Sequence, residues 1–159
     1  MQKYKKLSLR SAAITFSLLA QSTGFSIVAL AQNASQVKFP YVQKGCIALK
    51  EVSTGDTVLR KTITSGAHNT DFAVPTGRSF SSYIVRAIPE NDGTYKVVVN
   101  LKYSNSSHSS VLSVTRSYNR LKYYSERFVS PTGQQPYQVN LDIGGDNNNV
   151  YNLEVLACK

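Results

Sequence analysis

Runs of two-residue periodicity confine this chain to extended structure. Tyr95, Val97, Val99, Leu101 and Tyr103 share one parity, while Lys96, Asn100 and Lys102 take the other, with Val98 the exception. Tyr137, Val139, Leu141 and Ile143 alternate with Gln138, Asn140 and Asp142, and Tyr151, Leu153, Val155 and Ala157 again share a parity. A helix turns about 100° per residue and would scatter these side chains around its axis. A strand places them on one face.

Shorter runs of the same kind lie between clusters of turn residues. Cys46 to Val52 closes at Ser53-Thr54-Gly55-Asp56, and the short Gly55-Asp56 link predicts a hairpin to Thr57–Thr64. Phe72-Ala73-Val74-Pro75 reads as a short edge strand, because proline cannot donate to a ladder. Pro89-Glu90-Asn91-Asp92-Gly93 is a strong turn signal and predicts antiparallel pairing of Ile84–Ile88 with Tyr95–Tyr103. Ser104 to Ser110 reads as a loop. Val111–Arg116 and Leu121–Val129 read as a hairpin around Tyr118-Asn119. No long helical pattern occurs after residue 31. The expected fold is therefore all-β: a single antiparallel β-sandwich of about eight strands, immunoglobulin-like or jelly-roll in type, with a closed barrel as the alternative.

The N-terminus carries a different pattern. Lys3, Lys5, Lys6 and Arg10 precede a mostly apolar run from Ala12 to Ala31, which ends Ala29-Leu30-Ala31 before Gln32. A basic start, an apolar middle and small residues at the −3 and −1 positions read as a secretory signal peptide over residues 1–31. Gln21-Ser22-Thr23-Gly24 interrupts the run and argues against a membrane anchor. The expected product is one domain, residues 32–159, beginning with a flexible Gln-Asn-Ala-Ser-Gln and released to the periplasm or the exterior of a bacterial cell, with no stable membrane insertion once the leader is gone.

The leader changes how charge and cysteine are read. The whole chain has 18 Lys and Arg against nine Asp and Glu, a net charge of +9. Removing the four leader cations leaves about +5, ordinary for a soluble domain and too little to suggest nucleic acid as a partner. Export also permits a disulfide. Cys46 and Cys158 stand near the two ends of the domain, form no Cys-x-x-Cys, and lie far from His68 and His108. A clasp between first and last strands is the expectation, rather than a redox pair or a zinc site.

Candidate chemistry is sparse. No Gly-x-Ser-x-Gly elbow occurs, neither histidine sits in a recognisable motif, and no catalytic residue or cofactor is assigned. Asp142 and Asp146 flank an oxygen-rich Gly144–Asn149 segment, a weak calcium candidate whose spacing does not match an EF-hand loop and which also reads as an ordinary turn. Asn33 and Asn105 head Asn-x-Ser sequons, relevant only in a eukaryotic secretory host. The densest segment is Arg116 to Arg127, with Arg116, Tyr118, Arg120, Lys122, Tyr124 and Arg127 as candidate ligand-binding residues. Its cations suit anionic groups and its rings suit sugar faces. The function favoured is a secreted, non-catalytic binding module for an anionic glycan, an envelope polymer or a partner protein. A structural component that assembles through strand edges and a hydrolase with a dispersed site are the alternatives.

Overall fold

The computed structural model describes residues 37–65 and 68–159. The expected leader and the start of the domain at 32–36 lie outside the described residues. Ten strands are present: β1 (Cys46–Ala48), β2 (Lys50–Glu51), β3 (Val58–Thr62), β4 (His68–Ala73), β5 (Ser82–Pro89), β6 (Gly93–Lys102), β7 (His108–Tyr118), β8 (Tyr124–Phe128), β9 (Gln138–Gly145) and β10 (Val150–Cys158). Among the described residues there is no helix, and so none long and apolar enough to cross a membrane.

The strands form two five-stranded antiparallel sheets. The first has the order β1-β10-β5-β8, with β3 also paired to β10; the second has the order β2-β4-β9-β6-β7. Among the described residues no strand pair joins the two sheets, so the fold is a β-sandwich and not a closed barrel. The core is what the two-residue period demands. Tyr95, Val99, Leu101, Val139, Leu141 and Ile143 from the second sheet face Tyr83, Val85, Tyr151, Leu153, Val155 and Ala157 from the first. Full burial of one such side chain is worth about 1.5–3 kcal/mol, so this layer is the main source of stability.

The connections differ from the sequence-based expectation. Of consecutive strands, only β6 and β7 pair with each other; every other described connection crosses from one sheet to the other. The three expected hairpins are corrected accordingly. β3 pairs β10 rather than β1 or β2, β5 pairs β10 and β8 rather than β6, and β7 pairs β6 while β8 pairs β5. The turns are tight, but they carry the chain across the roughly 10 Å between layers, so that each new strand buries its apolar face against the previous one. Cys46–Val52, expected as one strand, splits at Leu49. Leu49 is buried between the sheets and donates its N–H to the Val155 carbonyl while the chain changes layer. This split helps raise the strand number from about eight to ten. Phe72 belongs not to an edge strand but to β4, inside the second sheet between β2 and β9, and the strand stops at Ala73 before Pro75.

Cys46 and Cys158 form the expected disulfide and sit opposite each other in the β1–β10 ladder. Gly145, the last residue of β9, has φ of 133°, and a Cβ there would strike the Thr94 carbonyl, so this position needs glycine.

Candidate functional site

The outer faces of the two sheets are finished differently. On the first, β10 is buried along both sides. Its outward residues Leu156 and Cys158 pack with Ile84, Cys46 and Ala48. Beside them Arg86 and Glu154 form an ion pair at 2.8 Å, with side chains only 3% and 6% exposed. The Arg86 guanidinium lies between the Phe39 and Tyr123 rings, 5.3 and 5.4 Å from their centroids, and donates to the Tyr123 hydroxyl and the Pro40 carbonyl. Burial pushes the Glu154 carboxyl above its ordinary value, and Arg86 only partly offsets it. Arg127 fastens the same covering segment by donating to Gln43 Oε1 at 3.1 Å and to Ser82 Oγ at 2.6 Å. Phe39, Pro40 and Gln43 thus seal the middle of this face, while the Arg60–Glu90 pair on its β3 side stays partly exposed.

Among the described residues nothing seals the outer face of the second sheet. The strand registers align its outward side chains in rows. One row reads Lys50, Ala73, Gln138, Lys102 and His108; the next, Asp71, Asn140, Asn100 and Ser110; the third, Asn69, Asp142, Val98 and Ser113; the last, Gly144, Lys96 and Thr115. Strands spaced about 4.8 Å apart make this face roughly 20 Å wide. Lys102 Nζ lies 3.0 Å from Asp71 Oδ1, which also accepts from Asn140 Nδ2 at 2.8 Å, and Asn140 Oδ1 accepts from Asn100 Nδ2 at 3.2 Å. Four side chains on three strands are therefore held in one network. Asp142 Oδ1 is shielded from solvent and accepts no hydrogen bond among the described residues.

At the β6–β7 end the turn after Tyr103 forms a wall. Tyr103 accepts from Ser106 N–H and donates to the Ser107 carbonyl, and Asn105 Oδ1 accepts from both Ser107 N–H and Oγ. The Asn105 side chain is thus used within its own turn. An open hollow of about 260 Å³ lies there, lined by Asn100, Lys102, Ser106, Ser107, His108 and Asn140. No Phe, Tyr or Trp ring belongs to these rows, since Tyr95 and Tyr103 turn into the core, and the His108 imidazole at the rim is the one ring there. Recognition here rests on hydrogen bonds and charge.

The six residues singled out in the sequence do not share a surface. Arg116 donates to Tyr118 Oη and Glu126 Oε1, both at 2.7 Å, and its guanidinium lies 4.9 Å from the Tyr118 centroid. The Glu126 bond leads the factors that raise the Arg116 pKa. Tyr118 meets Tyr124 edge-on at 4.4 Å, and Lys122 Nζ sits 5.8 Å from the Tyr124 centroid. The Arg116–Glu126 and Tyr118–Tyr124 contacts clamp β7, the edge of one sheet, to β8, the edge of the other. The space behind the clamp is about 40 Å³, room for a water molecule or two and not for a sugar. Its lining includes Tyr95, whose hydroxyl pKa burial pushes up to about 12. Arg120 is exposed on the β7–β8 turn, and Arg127 lies on the sealed face.

Asp142 and Asp146 do not converge. Asp142 lies among the outward rows, whereas Asp146 Oδ2 accepts the Thr94 N–H at 2.7 Å and ties the β9–β10 connection to β6. Among the described residues no group of three or more His, Cys, Asp or Glu is placed to hold a metal. His68 Nε2 is hydrogen-bonded to Thr64, and His108 is exposed at the rim of the hollow. Asp71, Asn100, Lys102 and Asn140 were not singled out as a site from the sequence. Lys102, Asn100 and Asn140 appear there only as the polar parity of two regular strands.

No protein-family model matches this sequence, and a search of curated proteins gives no match. Solved structures overlap it at the level of the sandwich. A mutant of a family 29 carbohydrate-binding module overlaps with a TM-score of 0.45 at 12% identity, covering 72% of this chain and 70% of the module. The N-terminal cellulose-binding domain of a Cellulomonas fimi β-1,4-glucanase gives 0.38 at 13%, covering 72% and 89%. A family 32 carbohydrate-binding module in complex with 4,5-unsaturated mannuronic acid gives 0.38 at 13%, covering 76% and 98%. Similarity this distant says nothing about the ligand of this chain.

Proposed function

We propose that this domain is a secreted, non-catalytic binding module that holds a hydroxyl-rich, anionic glycan across the outer face of the second sheet. The observation that carries this reading is the Lys102–Asp71–Asn140–Asn100 network, in which partly exposed Lys102, Asp71 and Asn100 are held around a buried Asn140, a set of donors and acceptors in place before any ligand arrives. Preorganised polar groups lose little conformational freedom on binding. Lys50, Lys96 and Lys102 outnumber Asp71 and Asp142 on the face, which favours an anionic chain over a neutral one. With no Phe, Tyr or Trp ring on the face to stack on, affinity is modest and falls as salt rises. The Cys46–Cys158 disulfide fits an oxidising compartment, as does the leader pattern in the sequence.

Affinity electrophoresis in alginate, a polyuronate, and in hydroxyethyl cellulose, a neutral glucan, tests the reading. Retardation in alginate at low salt is expected, weakened about tenfold by Asn100→Ala with Lys102→Ala. If that pair migrates like the parent while replacement of Arg116, Arg120, Lys122 and Arg127 by Ser abolishes retardation, the site belongs to the β7–β8 edge instead. Sequencing the N-terminus of exported protein should find Gln32 first. A chain that retains Met1 contradicts cleavage.

A further inference from the structure

The connection between β7 and β8 displays its side chains in an unusual way. Leu121 has φ of 57°, and the other two non-glycine residues with positive φ among the described residues are the small polar Ser106 and Asn148. A branched apolar side chain gains nothing from that backbone conformation. Packing does not compensate, because Leu121 is 61% exposed. The backbone around it is nevertheless held firmly. Leu121 N–H donates to the Pro89 carbonyl at 2.7 Å, Arg120 N–H to Asp92 Oδ1 at 2.7 Å, and Asn119 N–H to the Tyr124 hydroxyl at 2.9 Å. The turn is fixed and its side chains project. Arg120 and Lys122 flank the leucine, both exposed, and neither belongs to an ion pair among the described residues. Tyr123, 40% exposed, borders a hollow that the exposed Tyr41 also lines.

We infer that this turn is a docking tip for a membrane surface carrying anionic phospholipids, distinct from the glycan face. Each part has a place at such an interface. The leucine enters the acyl boundary and the two cations meet headgroup phosphates, while Tyr123 beside them stays over Arg86. A polysaccharide would satisfy the cations but offer the leucine no apolar phase. The attachment is peripheral and reversible, because one apolar side chain and two charges make a weak anchor.

The test is cosedimentation of residues 32–159, which contain both sheets, the core and the disulfide, with vesicles of phosphatidylglycerol and phosphatidylcholine at low salt. Vesicles of phosphatidylcholine alone serve as the comparison. Preference for the anionic vesicles is expected. Leu121→Gly supplies the decisive variant: glycine accepts the left-handed backbone, so melting should not fall, while vesicle binding should drop about tenfold. Arg120→Gln with Lys122→Gln should lower binding about fivefold per charge and erase the lipid preference. Equal binding to both vesicle types, no binding at all, or Leu121→Gly binding like the parent overturns the inference. So does a loss of alginate retention in Leu121→Gly with vesicle binding unchanged, which would make the tip a glycan contact.

Discussion

One ion pair from each outer face of this sandwich, set side by side, shows how the molecule divides its labour. Arg86 and Glu154 are closed over by Phe39, Pro40 and Tyr123, and Arg86 donates to the Tyr123 hydroxyl and the Pro40 carbonyl. Lys102 and Asp71 keep about a third of their side-chain surface exposed, 34% and 30%, within an amide network that reaches solvent. The chemistry is alike; the cover is not. A sealed pair is committed to the fold, whereas a half-exposed pair can exchange water for a ligand at little structural cost.

That contrast can be broken by substitution. Arg86→Ala leaves the Glu154 carboxylate buried without its partner and should cost about 3–5 kcal/mol in urea unfolding. If Arg86→Met with Glu154→Leu recovers most of that loss, the penalty comes from the orphaned charge; if not, packing under residues 37–45 dominates. Replacing Cys46 and Cys158 by Ser should cost about 2–4 kcal/mol and loosen β1 from the same face. Lys102→Ala should cost under about 1 kcal/mol, since its pair is partly solvated, yet reduce alginate binding severalfold. A large loss of stability there would place the open pair with the structural one.

The smallest effect is one of pH. The Glu154 carboxyl lies above its ordinary 4.5 because burial disfavours its charge. Its contribution is therefore fully present below pH 4.5 and is lost as pH rises through the raised value. Glu154→Gln should flatten this dependence, so that the difference in urea midpoint between parent and variant shrinks as pH falls from about 7 to about 4. A difference that widens on acidification would mean that Arg86 holds the carboxyl down instead.

What was legible in the sequence follows from which interactions are local. Strand faces are local, so Tyr95, Val99 and Leu101 and also Leu153, Val155 and Ala157 were placed correctly on inward faces by period alone. Pairing is not local. Gly55-Asp56 and Pro89–Gly93 announce that the chain reverses, but the same turn residues serve whether the next strand joins its neighbour or crosses to the opposite layer. Asn152 and Glu154 have the look of a solvated parity in sequence, yet they are buried, because Glu90 for the one and Arg86 with its cover for the other come from elsewhere in the chain. The candidate face was hidden for the same reason. Asp71, Asn100, Lys102 and Asn140 are unremarkable one at a time and become a network only through the β4–β9–β6 registers. The Arg116–Arg127 segment drew attention because its cations and rings are contiguous, but alternate ones turn to a clamp, a turn tip and a sealed face.

The account stands most directly on where a ligand touches. Backbone amide shifts of ¹⁵N-labelled protein, followed during titration with alginate oligosaccharides, read every strand at once. The expected perturbations gather on Asn69, Asp71, Asn100, Lys102, Ser113 and Asn140, and leave Arg86, Arg127 and Glu154 unmoved. Shifts centred on Arg116, Tyr118 and Glu126, or spread over the sealed face, would contradict it.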